Sequence, residues 1–242
     1  MASVIQPLGT KVEHAKSSLL KRDHPVIISF SGIDGAGKST QIAKLLNCLQ
    51  DAGLAVRQLT FWDDVVVLSR FRADVSHKFL QGEGGVGTPE KPVNRKDKNV
   101  RAWYLTLPRC VLHFLDSVSL RQKLSRARAS AADVIICDRY IFDQLATLPL
   151  ERPWARAYAR LLLKVAPIPD VSYLLDVDPE IARARKPEYP LDFMHQYRAS
   201  YLRLRDIGGM ALIAPMSQAE VHEAIAAQLE TSTGLRLPRT GV

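Results

Sequence analysis

The 242-residue sequence predicts a three-layer α/β fold, a five-stranded parallel sheet flanked by helices. Three observations carry this prediction. Short apolar runs of strand length alternate with helical patterns along the chain. A glycine-rich turn joins the first of those runs to its helix. The content of 47% hydrophobic and 24% charged residues is that of a globular chain. It excludes whole-chain disorder, collagen-like repeats and coiled coils.

The elements follow in order. Residues 1–24 are polar and basic and read as an N-terminal extension, with a short helix at 12–22. Pro25–Phe30 is an apolar run that reads as a strand. The helix over 39–51 places Ile42, Leu45, Leu46 and Leu49 on one face and stops at Gly53. Residues 54–61 read as a second strand, and strand–helix–strand at this spacing implies a right-handed parallel crossover. Helical patterns follow at 65–80 and 100–129, the second with a break expected near Pro108. Residues 133–138 form a third strand of the fully buried type. Helices at 141–148 and 154–165, a strand at 171–177, helices at 179–185 and 192–206 and a short strand at 210–214 complete the alternation. The capping box Ser217-x-x-Glu220 opens a last helix to about Glu230. The loop at 81–99, with four Gly and two Pro, cannot bury a face and reads as a mobile surface insertion. A single domain over 25–230 results, with a frayed tail at 231–242.

No run of 18 apolar residues exists, and the first residues lack the pattern of a signal peptide, so a cytoplasmic protein without membrane attachment is expected. Cys48, Cys110 and Cys137 are far apart in sequence and read as reduced thiols. The net charge of +8 suits nucleic acid or a phosphate site equally. No nucleic-acid-binding motif is visible, so no dedicated nucleic-acid partner is expected.

The sharpest signal is Gly32-Ile33-Asp34-Gly35-Ala36-Gly37-Lys38-Ser39, which fits G-x-x-x-x-G-K-[ST]. Glycines let main-chain N–H groups close around phosphate oxygens. Lys38 supplies a point charge to the β- and γ-phosphates, and the Ser39 hydroxyl is placed for Mg²⁺. The turn follows a strand and opens an amphipathic helix, which is the context a P-loop requires. The sequence therefore predicts a P-loop NTPase fold that binds ATP with Mg²⁺. Asn94-Arg95-Lys96-Asp97 resembles a guanine-reading motif but stands in the 81–99 loop, so a GTP switch is set aside.

Two further clusters point to phosphoryl transfer. Asp138-Arg139-Tyr140 ends the third strand, at the sheet edge where α/β folds bind ligands. Asp138 is positioned for Mg²⁺, and the Arg139 fork matches a phosphate. Arg183, Arg185 and Lys186 follow the fourth strand and can stabilise charge on a moving phosphoryl group.

FSGIDGAGKSTQ, ICDRY and LLDVDPEIARARK, followed by Tyr197-Arg198-x-x-Tyr201, together resemble thymidylate kinases in order and spacing, over roughly residues 25–230. The resemblance implies a lid after the fourth strand and transfer of the γ-phosphate of ATP to dTMP with Mg²⁺. It implies that Gly32, Gly35, Ala36, Gly37, Lys38, Ser39 and Thr40 surround the ATP phosphates. Lys38, Asp34, Arg183 and Arg185 are then the catalytic set, Ser39 and Asp138 hold the metal, and a homodimer is possible. Ala36 in the P-loop resembles the members that supply catalytic cations from the lid.

The acceptor half departs from the family. Thr60-Phe61-Trp62-Asp63-Asp64 stands where an Arg-Glu-Pro segment is usual, and Leu115-Asp116-Ser117 where an Asp-Arg pair is usual. Arg109 or Arg121 could replace the missing arginine. Asp63 or Asp64 could orient an acceptor hydroxyl, bind Mg²⁺ or simply cap a helix. Arg70 and Arg72 could clamp an acceptor phosphate, with Arg139, Tyr140 and Arg109 completing the acceptor set. Phe71, Phe79 and Trp103 are candidates to stack on a base. The reading is an ATP-dependent nucleoside monophosphate kinase. Its alternatives are a P-loop kinase for a nucleoside or other small molecule, and an inactive nucleotide-binding regulator.

Overall fold

The structure is a computed structural model that describes residues 24–67 and 106–237. Five strands, β1 (Val26–Ser31), β2 (Val56–Thr60), β3 (Val134–Asp138), β4 (Val171–Leu175) and β5 (Ala211–Ile213), form one sheet in the order β2-β3-β1-β4-β5. Every pairing is parallel. The predicted α/β class and strand number are thus observed.

Side-chain alternation along the strands builds two apolar layers. In β1, Val26, Ile28 and Phe30 face one side and Ile27 the other. On the first side lie the helices α1 (Lys38–Asp51) and, at the end of the described chain, α7 (Gln218–Thr233). Ile42, Leu45 and Leu49 meet Ile225 and Leu229 there, as the helical spacing predicts. The other side carries α2 (Thr106–Arg128), α3 (Ile141–Leu145), α4 (Pro153–Val165) and α6 (Leu191–Gly208), packed around Leu120, Leu124, Tyr201 and Leu204. The seven-residue α5 (Pro179–Arg185) follows β4, where the lid was expected. Its Asp178 N-cap accepts a hydrogen bond from Glu180 N at 2.9 Å.

Several boundaries differ from the expectation. The break expected near Pro108 is not seen among the described residues: Pro108 lies within α2, which is continuous from Thr106 to Arg128. After β2 the chain enters a five-residue π-helical turn, Phe61–Val65, closed by Val66 N on Phe61 O at 3.0 Å. The tail expected to fray from Thr231 begins with ordered chain. Here α7 continues to Thr233, Gly234 caps it and Leu235 is buried. The start of the helix expected at 65–80 is not α-helical, since Val65 ends the π-helical turn and Val66 is extended. The rest of that helix, the extension expected at 1–24 apart from His24, the 81–99 loop, Arg70, Arg72, Phe71, Phe79 and Trp103 lie outside the described residues. Among the described residues no helix is long and apolar enough to cross a membrane. No disulfide joins Cys48, Cys110 and Cys137, and burial pushes the Cys137 thiol up to about 12.

Where α1 meets α7, burial and then the Lys44 ammonium hold the His222 imidazole below its usual range, and its buried Nδ1 has no hydrogen-bond partner. The native state keeps His222 neutral, whereas the unfolded chain takes up a proton near pH 6.5. Stability is therefore full above that pH and falls as pH drops through it. Urea unfolding at pH 7.5 and 5.5 should show the wild type losing more stability between the two than His222→Gln. Equal losses would contradict the assignment.

Candidate active site

The P-loop occupies the C-terminal end of the central strand β1. It is wedged between two backbones. A Cβ on Gly32 (φ 143°) would stand 2.5 Å from Leu175 O at the end of β4. One on Gly35 (φ 89°) would stand 2.3 Å from Ala182 O in α5. The glycines thus serve closeness as well as curvature. Lys38 is buried, and its Nζ donates to Gly32 O at 2.7 Å and Ile33 O at 2.9 Å. The loop's own lysine bridges its mouth from within. Ser39 and Thr40 are exposed on the first turn of α1.

Beside this loop, β3 delivers Asp138, which pairs in register with Phe30 of β1. Burial raises the Asp138 carboxyl above its usual range, against the pull of the Arg139 and Lys38 charges. Among the described residues no cluster of three acidic, His or Cys side chains is placed to hold a metal. A hydroxyl and a single carboxylate match Mg²⁺, which keeps waters and takes phosphate oxygens as its remaining ligands. The donor set Ser39 and Asp138 therefore fits that ion.

Arg139 turns the chain out of β3. Its φ of 70° is the one left-handed non-glycine conformation among the described residues, a strain of about 1–2 kcal/mol. Its Nη2 donates to Asp34 of the P-loop, and its Nη1 donates to Asp143 Oδ1 at 3.1 Å. Burial pulls the guanidinium down, but Asp34 and Asp143 together outweigh it and hold Arg139 well above its ordinary value. The structure thus brings Asp34, Lys38, Asp138 and Arg139 to one end of the sheet, as the sequence predicts. Tyr140 is different: it is buried, and its hydroxyl donates to Pro167 O, which makes it a core residue.

The remaining predicted residues divide. Arg185 donates from Nη1 to Gly35 O at 3.4 Å, so α5 does bring a cation against the P-loop. Arg183 is half-buried in the same turn. Asp64 accepts from Thr60 N at 2.7 Å and so caps its own π-helical turn, while Asp63 is exposed beside it. Asp116 is fully buried and accepts from Val67 N at 2.8 Å and Gln144 Nε2 at 2.5 Å. Arg121 reaches Val165 O at 3.3 Å, the last carbonyl of α4. Arg109 instead lines a cleft of about 160 Å³ with Thr106, Thr147, Arg152 and Trp154.

No protein-family model matches the chain. Curated relatives do. A "probable thymidylate kinase" of Archaeoglobus fulgidus is 29% identical over 220 residues, 87% of this chain and 98% of its own. A "thymidylate kinase" of Chlorobium chlorochromatii is 26% identical over 238 residues, 88% of this chain and 97% of its own. The chain is thus similar to thymidylate kinases over most of its length. The crystal structure of a thymidylate kinase from Ehrlichia chaffeensis shares the fold, with a TM-score of 0.55 at 16% identity over 85% of this chain and 98% of that one.

Sequence reasoning missed two buried polar groups, Asp143 and Gln144. Asp143 carried no helix-face signal, since Arg139 stands outside α3 in a left-handed turn. Gln144 carried none. Only the fold brings it against Asp116. The Tyr197-Arg198-x-x-Tyr201 motif resolves into two jobs. Arg198 forms a bidentate pair with Asp176 at 2.6 Å for each bond, while both tyrosine hydroxyls reach Asp143.

Proposed function

We propose that the protein is an ATP-dependent thymidylate kinase that transfers the γ-phosphoryl group to dTMP. The observation that carries this reading is the Asp34–Arg139 pair, which ties the P-loop to the strand-end arginine. A donor nucleotide in the loop and an acceptor phosphate on Arg139 would meet across it. The P-loop N–H groups and the N-terminus of α1 bind the ATP phosphates. Lys38 exchanges its two carbonyl partners for phosphate oxygens. Ser39 and Asp138 hold Mg²⁺, which when bound neutralises phosphate charge. Arg139 orients the acceptor phosphate in line, and Arg183 and Arg185 of α5 stabilise charge on the equatorial oxygens. Asp34, released from Arg139, faces the acceptor. A coupled assay of ADP release against a panel of monophosphates tests the reading, with dTMP expected to give the highest kcat/KM.

Another monophosphate is the second reading. It is favoured by Ser117, which donates to His113 O at 2.8 Å where the family usually has an arginine. The same panel decides between the two acceptors.

Arg185→Ala should lower kcat about 10²-fold at saturating substrates, with little change in either KM, because its charge acts on the transferring group. Steady-state kinetics check this, and an unchanged kcat would remove Arg185 from the chemistry. The reading also places the protein in the cytoplasm, where ATP and reduced thiols coexist. It is a homodimer through α2, whose Leu107, Val111, Phe114 and Leu115 form an exposed apolar stripe at helical spacing. Light scattering should show a dimer that Phe114→Lys converts to monomer.

A further inference from the structure

Asp143 is fully buried and accepts four hydrogen bonds. Its Oδ1 takes Arg139 Nη1 at 3.1 Å and the Tyr201 hydroxyl at 2.8 Å. Its Oδ2 takes the Ser31 hydroxyl at 2.7 Å and Tyr140 N at 3.1 Å. A carboxylate offers about four lone-pair sites, and here all four are used. Asp143 therefore has no capacity left for a substrate or a metal. The donors come from three directions: the end of β1, the start of α3 and the middle of α6. Burial, and then the Asp143 charge, keep the Tyr201 hydroxyl protonated far above the working range, so it remains a donor.

Arg139 stands between this saturated acid and Asp34, which belongs to the P-loop. The two acids engage different nitrogens of one guanidinium. Asp34 lies where the reacting phosphates pass and must be able to let go. Asp143 cannot move without breaking bonds to three elements. A left-handed arginine needs such an anchor, because its backbone alone does not prefer the conformation that points it at the acceptor.

We propose that Asp143 is the positioning residue for the acceptor phosphate: it fixes the Arg139 guanidinium while Asp34 exchanges. The inference rests on the kinase reading above and names a residue that reading does not use. Without the Asp143 charge, Arg139 is held by Asp34 alone. The guanidinium is drawn to the P-loop and both groups are withheld from the acceptor. Acceptor binding suffers, and ATP binding does not.

The test compares full-length wild type, Asp143→Asn, Arg139→Ala and the double variant. KM is measured for dTMP and for ATP, and melting is followed with and without ATP. Asp143→Asn should raise the dTMP KM about tenfold, the worth of one hydrogen bond to a charged group. The ATP KM and the ATP-induced melting shift should stay within about twofold. In the Arg139→Ala background the same change should add less than about twofold, since the effect passes through Arg139. A merely structural acid would disturb both substrates alike, or would keep its full effect without Arg139, and either result overturns the proposal. If Asp143→Asn does not fold, Ser31→Ala, which removes one of the four donors, should raise the dTMP KM selectively but less. An unchanged dTMP KM there overturns the proposal too. Wild type that phosphorylates no monophosphate would sink the kinase reading itself, a different outcome from an active wild type with indifferent variants.

Discussion

Lys38→Ala is expected to abolish phosphoryl transfer, with kcat down about 10³-fold or more, while the fold survives. Two roles converge on this side chain. Its ammonium donates to the carbonyls of Gly32 and Ile33. With ATP present those donors turn to phosphate oxygens, whose charge increases towards the transition state. Truncation leaves two carbonyls without their donor, which costs about 1–3 kcal/mol. A fall in Tm of several degrees follows, without collapse. Circular dichroism and melting should therefore report a folded, slightly weakened protein that no longer gains stability from ATP. A variant that retained a tenth of wild-type kcat would show that the charge at Lys38 is not what carries the reaction.

Gly35→Ala should produce the second large effect, and it separates closeness from curvature. Gly35 and Gly37 have nearly the same φ, 89° and 86°. A methyl group at Gly37 meets nothing within 4 Å, whereas at Gly35 it falls 2.3 Å from Ala182 O. Gly37→Ala then costs only the backbone strain, about 1–2 kcal/mol. Gly35→Ala adds an overlap with backbone that no side chain can relieve, about 1–3 kcal/mol more. It also pushes α5, and with it Arg185, away from the loop. Differential scanning calorimetry should rank the Tm values wild type, Gly37→Ala, Gly35→Ala in descending order. Only Gly35→Ala should also lose the contribution of Arg185 to kcat. Equal destabilisation by the two alanines would mean that the P-loop does not rest on α5.

The fold was legible because each layer repeats one rule. Val26, Ile28 and Phe30 alternate with Ile27 in a buried strand, and Ile42, Leu45 and Leu49 share the helix face that covers them. The geometry of the candidate donor loop was legible for a related reason. The P-loop is contiguous, and each of its residues acts through local backbone geometry that a short sequence specifies. The location of Asp138 and Arg139 was legible because a strand end fixes it. The buried polar pairs near the candidate site join side chains far apart in sequence. Asp116 meets Gln144 across 28 residues, and Asp143 meets Ser31 across 112. No local pattern records such a meeting. Tyr140 was misassigned because adjacency to Arg139 in sequence suggested adjacency in function. The left-handed turn at Arg139 separates them, sending Tyr140 to the core and its hydroxyl to Pro167 O.

The helix boundaries that moved have similarly local causes. Pro108 reads as a breaker in sequence, yet the described helix runs unbroken past it to Arg128. The last helix reaches Thr233 because Leu229 and Leu235 both find the apolar layer beneath α7.

On the proposed reading a phosphoryl group passes from ATP held at Gly32–Ser39 to an acceptor monophosphate held at Arg139. Incubation of the purified full-length chain with ATP labelled in its γ-phosphate, Mg²⁺ and dTMP, resolved by thin-layer chromatography, measures that transfer directly. Label appearing in dTDP at the rate at which ADP forms is the predicted result. Label that remained in ATP, or left only as inorganic phosphate, would contradict it.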